Sequence, residues 1–219
     1  MVQLARRALI ATETSQIRAE MPDSFERYQA LRLPQFLDAD LLKTVQRAIG
    51  DATFYHRTHE GIGVEQCMRD NSTLALLYLL LNDQHLFDVI QQITGCARIG
   101  SFLGRVYRMC GGGGHYDSWH SDTGANRLIG ISVNLSEQAF EGGRFELRKR
   151  GSDTLLWAVA NTGPGDAILF RIADDLEHRV TAVEGHAPKT ALAGWFQSHP
   201  DFLSVLKSGA PHAVAPSSS

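Results

Sequence analysis

The C-terminal half of this chain is a succession of short, strand-like runs separated by turn-forming residues. Between residues 98 and 197 the runs are RIGSFLGRVYRM, RLIGISVNL, GRFELRKR, TLLWAV, DAILF, HRVTAV and KTALAGWF. Their separators, such as GGGG, SEQAFEGG, NTGPG and EGHAP, carry Gly, Pro, Asn or Ser. Six to eight strands in about 100 residues predict a β-sandwich or jelly roll.

The N-terminal half has helical periodicity instead. Apolar residues recur at helical spacing over 39–49, directly after the acidic start Asp38. The segment 72–93 predicts two helices with a hinge at 82–83, and Gly95 is placed to end the second. A strand over 52–59, rich in Thr and aromatic residues, separates the two helical regions.

These patterns predict an α+β protein whose jelly roll is backed by N-terminal helices. We expect residues 1–97 to form a helical support with one or two strands, and residues 98–197 to form the core. Residues 198–219 end in Ala, Pro and Ser, which is typical of a loose tail. Because the chain has 219 residues, all three parts fit one structural domain.

Charge and composition exclude several kinds of partner. The net charge is −3, so no basic excess favours nucleic acid or an anionic membrane. The longest apolar run, 74–81, is far shorter than the ~20 residues of a membrane helix. The N-terminus lacks the apolar core of a secretory signal, and the 3 cysteines are not spaced as a zinc site. We therefore expect a cytoplasmic protein with reduced thiols.

Two His-x-Asp pairs, His115/Asp117 and His120/Asp122, stand near the start of the strand-rich half. On a strand, residues i and i+2 share one face, so such a pair can present a nitrogen and a carboxylate oxygen to one metal ion. Two histidines and one carboxylate suit non-haem Fe(II), because they leave coordination positions open. The third ligand must come from another strand, where His178 and His186 are the candidates.

A cation follows these histidines at the start of the last run. In KTALAGWF, Lys189 shares a strand face with Ala191, Ala193 and Trp195. The two methyl-sized side chains leave room beside the ammonium group. This face therefore suits a small dicarboxylate.

Together these motifs resemble the Fe(II)/2-oxoglutarate-dependent dioxygenases, in particular the prolyl-4-hydroxylase-like branch. The family order is a tyrosine, a Gly-rich loop, an aromatic residue, His-x-Asp, a strand ending in Leu-Asn or Leu-Ser, Gly-Gly-x-Phe, Gly-Asp-x-x-x-Phe, His-x-Val, a cation and Trp-Phe. Its counterparts here are Tyr107, 111–114, Tyr116, His120/Asp122, 133–136, 142–145, 165–170, 178–180, Lys189 and 195–196. The agreement is ordered and covers about 90 residues, and it implies a double-stranded β-helix fold.

The resemblance implies a role for individual residues. It selects His120, Asp122 and His178 as Fe(II) ligands over the pair at 115–117 and over His186, which has no cation at the right distance. Lys189 would bind the distal carboxylate of the cosubstrate 2-oxoglutarate, with a hydroxyl from Tyr107 or Thr190 beside it; Tyr107 could equally be a core aromatic. Dioxygen is the oxidant, and the resemblance leaves room for ascorbate as a reductant.

The implied activity is hydroxylation of an unactivated aliphatic C–H bond. A peptidyl or prolyl-type substrate is the first expectation, and a free amino acid or natural-product small molecule is the alternative. Tyr116 and Arg127 flank the ligands and are candidate substrate contacts. The Gly-rich loop 111–114 is either a lid or a flexible connection. A metal-binding jelly roll without turnover and a cupin-type dioxygenase remain as other classes. Lys189 argues against the first, and Asp122 together with Lys189 argues against the second. The sequence does not specify an oligomeric state.

Overall fold

Antiparallel strands dominate the computed structural model, which describes residues 2–6, 9–11, 15–69, 72–112, 114–124, 126–160 and 163–198. Its four helices are α1 (Ser15–Tyr28), α2 (Ala39–Gly50), α3 (Ser72–Leu81) and α4 (Gln84–Thr94). Its strands are β1 (Val2–Leu4), β2 (Leu9–Ala11), β3 (Ala30–Leu33), β4 (Phe54–His59), β5 (Gly63–Met68), β6 (Ser101–Met109), β7 (Tyr116–His120), β8 (Arg127–Asn134), β9 (Glu141–Gly142), β10 (Phe145–Lys149), β11 (Leu155–Val159), β12 (Ala167–Arg171), β13 (Leu176–Val180), β14 (Val183–Glu184) and β15 (Lys189–Gln197).

Helices α2 and α4 begin at the residues that their sequence signals indicate. Asp38 caps α2, because its side chain accepts a hydrogen bond from the Leu41 amide at 2.6 Å. Asp83 caps α4 in the same way, so the hinge between α3 and α4 falls at the predicted place. Gly95 ends α4 with φ of 62°, a left-handed conformation that glycine adopts without strain.

The main sheet has 11 strands and forms a nearly closed jelly roll. Hydrogen-bonded neighbours run in the order β11-β10-β13-β7-β5-β6-β15-β8-β12-β3, and β4 pairs with β5 outside this path. The longest strands, β6 and β15, pair along their full lengths from Lys189↔Met109 to Gln197↔Ser101. The predicted fold class is therefore confirmed.

Alternation along β15 divides the buried side chains into two cores. Leu192 and Phe196 lie on the outer face, where helices α2, α3 and α4 cover the sheet. Ala191, Tyr107 and Phe145 belong to a second cluster inside the roll. The helical layer therefore supports the wall of the roll, and the inner face remains for the functional side chains.

The structure adds elements that the sequence patterns did not indicate. Strand β5 lies in the segment 59–71, for which no element was predicted, and β1, β2 and α1 lie in the first 30 residues. Ten strands instead of six to eight fall between 98 and 197, including the two-residue strands β9 and β14. Of the predicted tail 198–219, only Ser198 is within the described residues. The division into three parts of one domain stays a prediction.

Candidate metal centre and cosubstrate pocket

Three predicted metal ligands meet on the inner face of the jelly roll. His120 at the end of β7 is the direct cross-strand partner of His178 on β13, and Asp122 follows β7 by two residues. One ligand atom from each of the three lies within 4.8 Å of the others. The Nε2 atoms of His120 and His178 are 3.8 and 3.5 Å from the Asp122 carboxylate oxygens. The three side chains thus converge on one point.

Neighbouring groups orient both imidazole rings. The Nδ1 atom of His120 lies 2.8 Å from the Ser118 carbonyl, so Nδ1 carries the proton and Nε2 keeps its lone pair. The His178 ring stacks on Phe145 at 5.7 Å and packs against Phe170 at 4.6 Å. Both rings therefore present nitrogen toward Asp122.

The Asp122 carboxylate is held by one donor on each oxygen. Trp195 donates its Nε1–H to Oδ2 at 2.6 Å, and Arg127 Nη1 donates to Oδ1 at 3.2 Å. Burial alone would raise the pKa of Asp122, but hydrogen bonds from His178 and Trp195 and the nearby positive charge lower it below its ordinary value. Asp122 is therefore an anion at neutral pH, as a metal ligand must be.

Lys189 is a cation buried at the start of β15. Its side chain is inside the roll, where Nζ donates to the Gly143 carbonyl at 2.6 Å and lies 5.6 Å from the centre of the Phe140 ring. Burial lowers its pKa to about 8, and the charge of Asp117 opposes that shift. No carboxylate forms an ion pair with Lys189 among the described residues, so a ligand carboxylate can take that place.

The two predicted hydroxyl groups point to different sides of the sheet. Tyr107 pairs with Ala191 across β6 and β15 and lies on the inner face, where its hydroxyl bonds Ser132. Thr190 has the opposite orientation, and its Oγ1 accepts a hydrogen bond from Arg108 Nε at 3.2 Å. The structure thus brings Tyr107, but not Thr190, to the face that carries Lys189.

The two candidate substrate contacts also differ in placement. Arg127 lies at the metal centre, with its guanidinium carbon 3.7 Å from the centre of the Trp195 ring. Tyr116 is 48% exposed and precedes Asp117, whose carboxylate reaches within 3.5 Å of His120. Adjacent strand residues point to opposite faces, so Tyr116 does not face the centre.

The competing histidines lie outside the metal centre. His115 is buried, and its Nδ1 accepts a hydrogen bond from the Cys110 amide at 2.9 Å. His186 is exposed in the turn before β15. Gly113 falls outside the described residues, while Gly112 and Gly114 have φ of 70° and 67°. Whether the Gly-rich loop acts as a lid stays a prediction.

A second charged cluster, which the sequence patterns did not indicate, lies beside the metal centre. Arg105 on β6 donates to Glu65 on β5 at 2.6 Å, and the same carboxylate oxygen accepts from His59 at 2.9 Å and from the Cys67 thiol at 3.2 Å. Burial alone would raise the pKa of Glu65, but His59 and Arg105 lower it to about 2. Burial and the Glu65 charge raise the pKa of Cys67 to about 11. The sequence does place Arg105 two residues before Tyr107, on the same strand face. This spacing indicates a charged cluster only once β5, which carries Glu65, is known to pair with β6.

The donor set fits a non-haem iron ion. Two imidazole nitrogens from neighbouring strands and one carboxylate from the loop after β7 leave positions open for a chelating cosubstrate and for dioxygen. The inner-face lysine nearby supplies the charge that a dicarboxylate needs. Fold and site together define a jelly-roll metalloenzyme of the oxygenase type.

Comparison with known proteins finds a family similarity over part of the chain. The family model described as the 2OG-Fe(II) oxygenase superfamily matches residues 104–197. This segment carries His120, Asp122, His178 and Lys189, and its similarity to that superfamily supports a dioxygenase that uses Fe(II), 2-oxoglutarate and O2. The relationship predicted from the sequence is thereby confirmed.

Solved structures share the fold at low sequence identity. An oxidoreductase of the 2OG-Fe(II) oxygenase family from Burkholderia pseudomallei is 18% identical with a TM-score of 0.62, covering 91% of this chain and 97% of that chain. A prolyl-4-hydroxylase from Pseudomonas putida has the same identity, 18%, and TM-score, 0.62, covering 84% and 100%. A prolyl hydroxylase from Trichoplax adhaerens, in complex with a hypoxia inducible factor peptide fragment, is 14% identical with a TM-score of 0.59, covering 91% and 99%. No curated protein sequence matches significantly. None of the described helices is long and apolar enough to cross a membrane.

Proposed function

We propose that the protein hydroxylates an unactivated aliphatic C–H bond of a peptidyl or prolyl-type substrate, with Fe(II) bound by His120, Asp122 and His178. The observation that carries the proposal is the convergence of these three side chains on the same inner face as the buried Lys189. The Trichoplax adhaerens relative was solved with a peptide, which supports a peptide substrate. A free amino acid or natural-product small molecule is the alternative substrate.

In this proposal, the site residues around the three ligands position the cosubstrate and the carboxylate ligand. Lys189 binds the distal carboxylate of 2-oxoglutarate through a charge-assisted hydrogen bond, and Tyr107 lines the same face. Trp195 and Arg127 hold the Asp122 carboxylate in its ligating orientation. When bound, iron and 2-oxoglutarate would supply the oxidation by O2: one oxygen atom enters the succinate that forms as carbon dioxide is lost, and the other enters the substrate.

We also propose one structural domain with a helical support over 1–97 and the catalytic core over 98–197. The outer core cluster joins Leu77 and Phe87 of the helices to Phe102 and Phe196 of the roll. Because these side chains are fully or almost fully buried together, neither part would keep its apolar surface covered alone.

The test is an anaerobic titration of the protein with Fe(II) and then 2-oxoglutarate, followed by visible spectroscopy. Bidentate chelation in a site with open positions gives a metal-to-ligand charge-transfer band. We expect the band in the native protein, its loss in His178→Ala and Asp122→Ala, and its retention in His186→Ala, which removes an exposed histidine outside the centre. Iron binding without a band would refute the 2-oxoglutarate site and favour a cupin-type or non-catalytic protein. Incubation with proline-containing peptides, read by succinate release and by gain of one oxygen, then tests the substrate.

A further inference from the structure

The guanidinium of Arg105 has donors that the protein does not use. Its Nε bonds Glu65, whereas Nη1 and Nη2 donate to no side chain or carbonyl of the described residues. The Arg105 side chain lies on the inner face of the roll and is 24% exposed. Because the side chain is partly exposed, these N–H groups are accessible to a ligand. Two adjacent free donors therefore form a fork that suits a planar anion.

Glu65 holds this fork in place without occupying it. The carboxylate oxygen that contacts Arg105 is already shared with His59 and Cys67. Although burial alone would lower the pKa of Arg105, the Glu65 charge raises it, so the guanidinium stays positive. An arginine oriented from behind by a carboxylate loses little side-chain entropy when it binds a ligand.

The fork lies next to the metal centre on the side away from Lys189. The guanidinium carbon of Arg105 is 5.7 Å from the centre of the Trp195 ring, whose Nε1 bonds Asp122. Arg105 is paired with Ala193, which stands four residues, about 14 Å of strand, beyond Lys189. Because Ala193 has only a methyl side chain, it leaves space beside the Arg105 guanidinium on the inner face. A cosubstrate held by Lys189 therefore lies toward the opposite end of this face.

We infer that Arg105 binds a carboxylate of the primary substrate, next to the carbon that is oxidised. This inference rests on the proposed function and deepens it by naming a charged group that the substrate must carry. The neighbouring carboxylates Glu65 and Asp117 disfavour a doubly charged phosphate, so a monoanion fits best. The carboxylate is the α-carboxylate of a free or terminal amino acid, or the side chain of an acidic residue beside the target residue of a peptide.

Binding of matched acid and amide probes tests the inference without turnover. Isothermal titration of the protein, loaded anaerobically with Fe(II) and 2-oxoglutarate, uses free L-amino acids, their N-acetyl derivatives and the corresponding N-acetyl amides. A third arm uses the dipeptide amides N-acetyl-Pro-Asp-NH2 and N-acetyl-Pro-Asn-NH2. We expect at least one acid to bind at least about tenfold more tightly than its amide, as loss of a charged hydrogen bond requires. The arm that shows the preference identifies the source of the carboxylate.

Variants then assign the preference to Arg105. Arg105→Met should abolish it, whereas Arg108→Met, which removes an arginine from the opposite face of the same strand, should retain it. Because Arg105→Met leaves Glu65 without its cation, the double variant Glu65→Gln/Arg105→Met provides a charge-balanced form whose melting temperature can be compared with the native protein. Arg105→Lys should restore part of the preference by returning the charge.

The outcomes separate this inference from the proposed function. Equal binding of acids and amides, absence of binding by every acid, or a preference that survives in both Arg105 variants would overturn the inference. A large rise in the dissociation constant of 2-oxoglutarate in Arg105→Met would also overturn it, because Arg105 would then bind the cosubstrate. If the native protein forms no charge-transfer band with Fe(II) and 2-oxoglutarate, the proposed function itself fails.

Discussion

The buried ammonium group of Lys189 predicts a pH limit for use of 2-oxoglutarate. Its pKa is lowered to about 8 by burial, so about nine-tenths of the free enzyme carries the charge at pH 7 and about one-tenth at pH 9. Only the protonated form attracts the distal carboxylate. We therefore expect kcat/KM for 2-oxoglutarate to fall about tenfold between pH 7 and pH 9. The value of kcat should fall less, because bound carboxylate raises the pKa of Lys189 again.

Substitutions at Lys189 separate this effect from other titrations. Lys189→Arg keeps its charge throughout this range and should remove the decline above pH 8. Lys189→Met should raise KM for 2-oxoglutarate by ~10- to 100-fold, the equivalent of a lost charged hydrogen bond of ~1.5–3 kcal/mol, and leave iron affinity unchanged. The assay is succinate release against 2-oxoglutarate concentration at each pH. Identical pH profiles for the native protein and Lys189→Arg would refute the reasoning.

Three other substitutions test the surroundings of the site. Trp195→Phe removes the indole N–H that holds the carboxylate ligand and should weaken Fe(II) binding by ~10- to 100-fold in equilibrium dialysis; unchanged affinity would contradict the assigned role. Gly143→Ala places a methyl group 2.9 Å from Lys189 Cδ at φ of 55° and should raise KM for 2-oxoglutarate, whereas Gly151→Ala, at φ of 72° with open space around it, should leave KM unchanged; equal values in the two variants would rule out that contact. The pKa of Glu65 is lowered to about 2, so its contribution to folding stability is present above its ordinary pKa and is lost as pH falls toward 2. Glu65→Gln should therefore reduce the loss of unfolding free energy at acid pH, measured by urea unfolding at a series of pH values. An unchanged loss would contradict the Glu65 assignment.

Sequence patterns could predict the parts of the fold that short-range rules control. The helix start at Asp38 and the hinge at 82–83 are such short-range signals, and the structure has both where the sequence predicts them. The triad needed one long-range step, the approach of His178 to His120, and the resemblance supplied the order of motifs that carries that step. Arg105 and Glu65 had no such support. Their contact depends on the pairing of β5 with β6, and β5 was not predicted.

The orientation of Tyr116 follows from an irregularity in strand pairing. In a regular strand, Tyr116 and His120 would share one face because they are four residues apart. Here His178 pairs with His120 and Val180 pairs with Asp117, so β7 uses three steps where β13 uses two. Such a bulge reverses the alternation and turns Asp117 inward, where its carboxylate lies 3.5 Å from His120. The aromatic side chain of Tyr116 is turned outward by the same step. A bulge depends on the register between two strands that are distant in sequence. The period-two rule therefore predicts which face carries His120 and Asp122, but it cannot predict which face carries the side chains on the other side of the bulge.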